Sequence, residues 1–143
     1  QVEKWEAVIP LIKAIDRQFK RLVPKAHKKQ YDRAHKTKFV INDTAFSTLT
    51  INYNWRTALH KDAGDYREGF GNLVVLEEGE YDGAFTGFPQ FGVAIDVKEG
   101  DFLAMNVHEW HANTKIIPIT EDYTRLSLVS YLREKMLRCS KMN

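Results

Sequence analysis

His60-Lys61-Asp62 places an imidazole and a carboxylate two residues apart. On an extended segment, side chains at i and i+2 point to the same side, so both can reach one metal ion. A third ligand from a distant strand completes a face of two histidines and one carboxylate. Such a face leaves coordination positions open for a cosubstrate and O₂, the arrangement of non-haem Fe(II) oxygenases, although zinc fits the same donors. Of the five histidines, His27 and His35 lie in a basic segment, which leaves His108 and His111 as candidates for the third ligand. They are three residues apart and face opposite sides of a strand, so spacing does not choose between them. Arg125 follows in Thr124-Arg-Leu-Ser127, at the start of an apolar run. A guanidinium fork suits bidentate capture of a carboxylate inside a pocket. Ser127, two residues on, faces the same side and can donate a hydroxyl hydrogen bond.

These groups need elements to hold them. Val2, Trp5, Ile9, Ile12, Ile15, Phe19 and Leu22 recur at steps of three and four, which predicts a helix over residues 2–22 that packs on a sheet. Pro10 is expected to kink or restart that helix, and Pro24 to mark its end. Residues 25–42 are polar and basic and read as a loop or a second short helix. From about residue 44 the pattern changes to strands at 46–53, 72–76, 91–97, 101–107 and 124–132, separated by glycine-containing breaks. Many short strands with turn punctuation and no intervening helix predict a sandwich or jelly roll. The expected organisation is one domain, with a helical and basic segment over 1–43 packed on a β core over 44–143.

The length of 143 residues suffices for one core without disulfide or structural metal. No apolar run approaches a membrane span, and no segment reads as a secretory signal. The single cysteine, Cys139, makes no internal disulfide, which fits a reducing interior. Net charge is +2, yet residues 13–38 hold ten Lys and Arg against Asp16 and Asp32. That concentration points to a polyanionic partner such as nucleic acid; a solvated helix face explains it equally well. No obligate protein partner is evident.

Residues 44–135 resemble the 2-oxoglutarate/Fe(II) dioxygenases, and within them the TET/JBP branch that oxidises 5-methylpyrimidines in DNA. The resemblance is carried by Asn52-Tyr-Asn-Trp-Arg-Thr-Ala-Leu-His-Lys-Asp-Ala-Gly-Asp65, by Phe88-Pro-Gln-Phe-Gly-Val-Ala-Ile-Asp-Val97 with Gly100-Asp101, by His111-Ala-Asn-Thr, and by Tyr123-Thr-Arg-Leu-Ser-Leu-Val-Ser-Tyr131. The His-x-Asp, His and Arg frame belongs to the whole superfamily, whereas the Asn-x-Asn-x-Arg-Thr-Ala lead-in and Gly64-Asp65 are closer to the DNA-modifying branch. The resemblance implies a mainly β double-stranded β-helix, a cupin-like jelly roll with an N-terminal helix. It assigns the metal to His60, Asp62 and His111. It implies Fe(II), O₂ and 2-oxoglutarate, with ascorbate as the alternative cosubstrate, and a far carboxylate paired with Arg125. Cysteine-rich elements and long insertions are absent, as in a compact phage-type or algal-type member.

The implied reaction is hydroxylation of the 5-methyl group of thymine or 5-methylcytosine in DNA. A duplex base must leave the stack to reach a buried iron. Asn52, Asn54, Asp65 and His108 are candidates for the base edge, Arg56 for phosphate or cosubstrate, and Asn54 also for cosubstrate beside Arg125 and Ser127. Trp55, Tyr81, Phe88 and Trp110 are candidates for stacking, and Lys28, Lys29 and Arg33 for the DNA backbone. The implied setting is intracellular: the nucleus in a eukaryote, the host cytoplasm for a virus. Two other readings remain: the same iron chemistry on a protein side chain or small molecule, and a non-catalytic cupin-like module that binds nucleic acid.

Overall fold

The periodic apolar residues at the start of the chain form α1 (Val2–Leu22). The computed structural model describes residues 1–139. Ile12, Ile15 and Phe19 are its buried face, whereas Val2, Trp5 and Leu22 at its ends are exposed. Contrary to the expected break, α1 runs through Pro10. Pro10 and Glu6, whose carbonyl loses its helical partner, are both exposed, so that carbonyl stays hydrated. Val23 ends the helix, and α2 (Pro24–Ala34) begins with proline in the first helical position, where a missing N–H costs nothing. The two helices are locked to the β core by buried polar groups. Asp16 Oδ1 accepts from His27 Nε2 at 3.0 Å and from the Ala45 amide at 2.8 Å. The Gln30 amide donates to Ala45 O at 3.0 Å and accepts from the Phe70 amide at 2.8 Å.

The β region contains β1 (Thr48–Tyr53), β2 (Gly71–Glu78), β3 (Tyr81–Gly83), β4 (Thr86–Phe88), β5 (Val93–Ile95), β6 (Phe102–Met105), β7 (Ala112–Asn113), β8 (Ile116–Pro118) and β9 (Thr124–Tyr131), followed by α3 (Glu134–Arg138). A tight 3-10 turn over Pro89–Phe91 joins β4 to β5. The larger sheet has the order β1-β9-β2-β6; the facing strands form a β5-β4-β7 sheet and a β3-β8 pair. All named strand pairs are antiparallel. This is a double-stranded β-helix, a jelly roll, as the alternating short strands predicted.

Alternation along the larger sheet divides its faces. Leu49 on β1, Val74 on β2, and Phe102 and Ala104 on β6 pack outward against α1 through Ile12, Ile15 and Phe19. Leu73 and Val75 pack inward with Val97, Ile95, Leu103 and Val129. Gly83 sits at φ +77°, and a Cβ there would meet the Lys115 carbonyl at 2.0 Å, so the β3–β8 pair closes only around a glycine. Among the described residues, no helix is long and apolar enough to cross a membrane.

Candidate metal centre

Asn54 makes the first turn towards the centre. It continues β1 but adopts φ +45°, a left-handed conformation that asparagine tolerates better than most residues. Its amide donates to Arg125 O at 2.9 Å, its side chain donates to Tyr123 O at 3.1 Å, and its Oδ1 accepts from the Arg125 amide at 2.6 Å. With that corner pinned to β9, residues 55–60 cross from β1 to β7. There the Asn113 amide donates to Thr57 O at 3.0 Å, and His60 and His111 exchange two backbone hydrogen bonds of 3.0 Å each. The Asp62 amide continues the pairing to Val107 O at 2.9 Å.

This pairing brings His111, and not His108, beside His60. His60 and His111 are directly opposed across the bridge, so their rings share a side, with centroids 4.3 Å apart. Asp62 Oδ1 lies 3.3 Å from His60 Nε2, and Oδ2 lies 3.7 Å from His111 Nε2. One donor atom from each of the three residues lies within 4.8 Å of the others. Each Nδ1 faces a backbone carbonyl two residues back: His60 to Ala58 O at 2.7 Å, His111 to Glu109 O at 2.8 Å. Those contacts place the proton on Nδ1 and leave the Nε2 lone pair free, the usual way a protein orients metal-ligating imidazoles. The donor set therefore fits an open metal site of the two-histidine, one-carboxylate kind.

A cavity of about 240 Å³ opens on these three residues. Along β9, Arg125, Ser127, Val129 and Tyr131 all face it, and Asn52 and Thr50 on β1 pair with Ser127 and Val129 in register. Arg125 is 2% exposed, and its Nε and Nη2 have no hydrogen-bond partner among the described residues. A buried cation with idle donors is costly unless an anion meets it, so this end of the cavity fits a carboxylate. The Tyr81 phenol lies behind Arg125 and donates to the Glu77 carboxylate. Burial and that hydrogen bond push its pKa up to about 12, with the guanidinium pulling the other way. Beyond the other end of β9, a backbone β-bridge sets Asp65 opposite Arg133. Burial and the nearby Asp62 charge raise the Asp65 carboxyl to about 7, against the pull of Arg133.

The structure thus brings His60, Asp62, His111, Arg125, Ser127, Asn52 and Asp65 to one cavity, with Trp55 on its wall. Asn54, Arg56 and His108 do not line it. Asn54 spends its side chain on the β9 backbone. Arg56 Nε donates to Asn113 O at 3.3 Å. His108 lines a neighbouring cleft with Arg67 and Glu134, its Nε2 3.3 Å from Tyr66 O. Tyr81 is buried, Phe88 lies with its ring 6.2 Å from that of His111, and Trp110 sits under Lys61 at 5.3 Å. Lys28, Lys29 and Arg33 are each matched to a carboxylate: Asp32 at 2.6 Å, Glu68 at 3.1 Å and Glu134 at 3.7 Å. Sequence reasoning missed Tyr131, Thr50, Leu73 and Met105, all of which line the cavity. Tyr131 carried a signal, since it lies an even number of residues from Arg125 on one strand.

The fold and site define an oxygenase domain of the 2-oxoglutarate/Fe(II) class. The Tet_JBP family model, described as the oxygenase domain of the 2OGFeDO superfamily, matches residues 1–134, and the chain belongs to that family. The chain is 36% identical over 128 residues to the bifunctional helicase and thymine dioxygenase JBP2 of Leishmania tarentolae, covering 90% of this chain and 12% of the relative. It is 37% identical over 134 residues to thymine dioxygenase JBP1-A of Trypanosoma cruzi, covering 92% and 16%. The chain therefore spans less than a fifth of these relatives. The solved structure of NgTET1 in complex with 5mC DNA superposes with a TM-score of 0.66 over 86% of this chain and 48% of that one, at 14% identity, and shows the same fold.

Proposed function

We propose that this chain is an Fe(II)- and 2-oxoglutarate-dependent dioxygenase that hydroxylates the 5-methyl group of a pyrimidine in DNA, with thymine the first choice. The carrying observation is the pairing, in one cavity, of a pre-oriented His60–Asp62–His111 face with the buried, unpartnered donors of Arg125. The relatives at 35–37% identity are named thymine dioxygenases, which favours thymine over 5-methylcytosine.

Bound Fe(II), with O₂ and 2-oxoglutarate, supplies the oxidation that converts a methyl C–H to C–OH while 2-oxoglutarate leaves as succinate and CO₂. His60, Asp62 and His111 hold the metal. Arg125 and Ser127 hold the distal carboxylate of the cosubstrate; ascorbate, with no such carboxylate, leaves the idle guanidinium unexplained. Tyr131 and Trp55 offer ring faces for a base outside the stack, and Asn52 and Asp65 offer polar groups for its edge. Burial of the Asp65 carboxyl favours its neutral form, which can donate as well as accept a hydrogen bond. Apolar Leu73, Met105 and Val129 exclude water from the same space. Lys28, Lys29 and Arg33 reach DNA phosphates by exchanging their carboxylate partners. The protein acts in the compartment that holds its DNA, the nucleus in a eukaryote or the host cytoplasm for a virus.

The test is anaerobic loading with Fe(II) and 2-oxoglutarate, addition of air with thymine-only or 5-methylcytosine DNA, and nucleoside mass spectrometry. Hydroxymethyluracil from the thymine substrate is expected. The absence of any hydroxymethyl base from either substrate, with metal binding shown by titration, refutes the reading.

A further inference from the structure

The β4–β5 hairpin reaches past the metal centre. β4 pairs with β7 through Thr86↔Asn113 and Gly87↔Ala112, which carries Phe88 level with His111. The chain continues beyond that level through Pro89–Phe91 and turns back at Gly92, φ +62°. Proline at the start and a left-handed glycine at the close make this tip a preset shape. It is also tethered: Gln90 Nε2 donates to Glu109 Oε2 at 3.1 Å, and the Glu109 carbonyl is the one that fixes His111 Nδ1. The tip is therefore held to the turn that orients a metal ligand.

At this tip Phe91 is 62% exposed. Trp55 and Trp110 are exposed as well, at 63% and 47%, but Trp55 lines the cavity and Trp110 lies under Lys61. No ring or cation contact engages Phe91 among the described residues. A rigid, tethered turn that holds an apolar ring in water beside a reaction centre is suited to burial on binding.

We propose that Phe91 enters the duplex where the target base leaves it and fills the vacated stack. The proposal rests on the DNA reading above. A base that turns out leaves a gap of roughly 3.4 Å per step along the strand, about the thickness of one ring. Apolar side chains, phenylalanine among them, serve as such wedges in DNA-bending proteins. Phe91 holds the gap open, while the cavity holds the base. The two roles separate experimentally, because a strand without a partner has no stack to reclose.

The test compares wild type, Phe91→Ala, Phe91→Leu and Tyr131→Ala on one target sequence presented as duplex, as single strand, and as duplex with an abasic site opposite the target. Product is read by nucleoside mass spectrometry. For Phe91→Ala, duplex kcat/KM is expected to fall by about tenfold to a hundredfold, with single-strand and abasic rates within about twofold of wild type. Phe91→Leu is expected to recover most of the duplex rate, and Tyr131→Ala to lose activity on all three substrates. An independent readout is 2-aminopurine placed beside the target, which brightens as its stacking is disturbed when wild type binds and stays dim with Phe91→Ala. Equal losses on duplex and single strand, or no loss on duplex, overturn the wedge and leave the function standing. Wild type inactive on all three substrates overturns the function and the wedge with it.

Discussion

Replacing Arg125 with methionine is expected to help the empty protein and to disable the loaded one. Arg125 is 2% exposed, and two of its guanidinium nitrogens lack partners. Removing it leaves no new charge stranded, because Glu77 keeps the Tyr81 hydroxyl and the Glu99 amide as donors. Replacing buried ionic groups with apolar side chains of similar volume is commonly neutral or stabilising by about 1–4 kcal/mol. At this size each kcal/mol moves Tm by roughly 3 °C, so ligand-free Arg125→Met should melt between the wild-type value and about 12 °C above it. The effect on 2-oxoglutarate runs the other way. Truncating one member of a buried ion pair costs about 2–5 kcal/mol, or roughly thirtyfold to several thousandfold in Kd. Thermal melts with Mn(II) in place of iron, across a 2-oxoglutarate titration, read both effects at once. Wild-type Tm climbs with ligand as mass action requires, while the variant's stays flat. A variant that melts several degrees lower and still binds 2-oxoglutarate like wild type refutes the view that Arg125 is held for an absent carboxylate.

Three other expectations concern the scaffold around the cavity. Asn54→Ala loses two side-chain hydrogen bonds and puts alanine in a left-handed conformation, so a loss of about 2–4 kcal/mol is expected in urea unfolding, and Asn54→Gly should recover part of it. Asp62→Ala and His111→Ala should abolish Mn(II) binding by titration while circular dichroism stays that of wild type. For Asp65, the folded pKa of about 7 lies above the ordinary 3.8, so the native state holds the proton more tightly than the unfolded chain. The stability this gives the metal-free protein is full below about pH 4 and is lost as pH rises through about 7, a change on the order of a few kcal/mol. Asp65→Asn should flatten that profile between pH 4 and 8; a profile as steep as wild type in the variant would assign the dependence elsewhere.

The long strands were legible because their apolar content and flanking turns are local. The strands β3, β4, β7 and β8 were not, because segments of two or three residues exist only through their partners. Tyr81–Gly83 carries one apolar residue and a glycine; it is a strand because Ile116–Pro118 pairs with it. The His-x-Asp pair was readable as a candidate metal motif, whereas His111 was preferred to His108 on resemblance alone; the His60–His111 bridge, which brings those two rings together, depends on strand pairing that spacing does not show. Asn54 and Arg56 show the opposite limit. Both stand in the motif that marks the branch, and motif membership does not reveal that Asn54 holds a corner instead of a ligand. Tyr131 was missed because a cavity wall is defined by register across strands, and a single strand read alone does not say which of its faces looks inward.

β9 also acts as a ruler. Arg125 stands at one end of the cavity face and Tyr131 at the other, six positions apart on one unbroken strand, so about 20 Å of backbone sets the separation between the guanidinium and the phenol. Because side chains alternate, a one-residue insertion or deletion inside β9 turns the downstream half of that row out of the cavity and brings the residues of the strand's opposite face into it. The gene can therefore vary this stretch by substitution but not by length. A length change in the connection before Thr124, where the chain has left β8 and not yet entered the strand, leaves that row intact. Homologues that bind a longer or shorter cosubstrate would have to change which position along β9 carries the cation, two residues at a time.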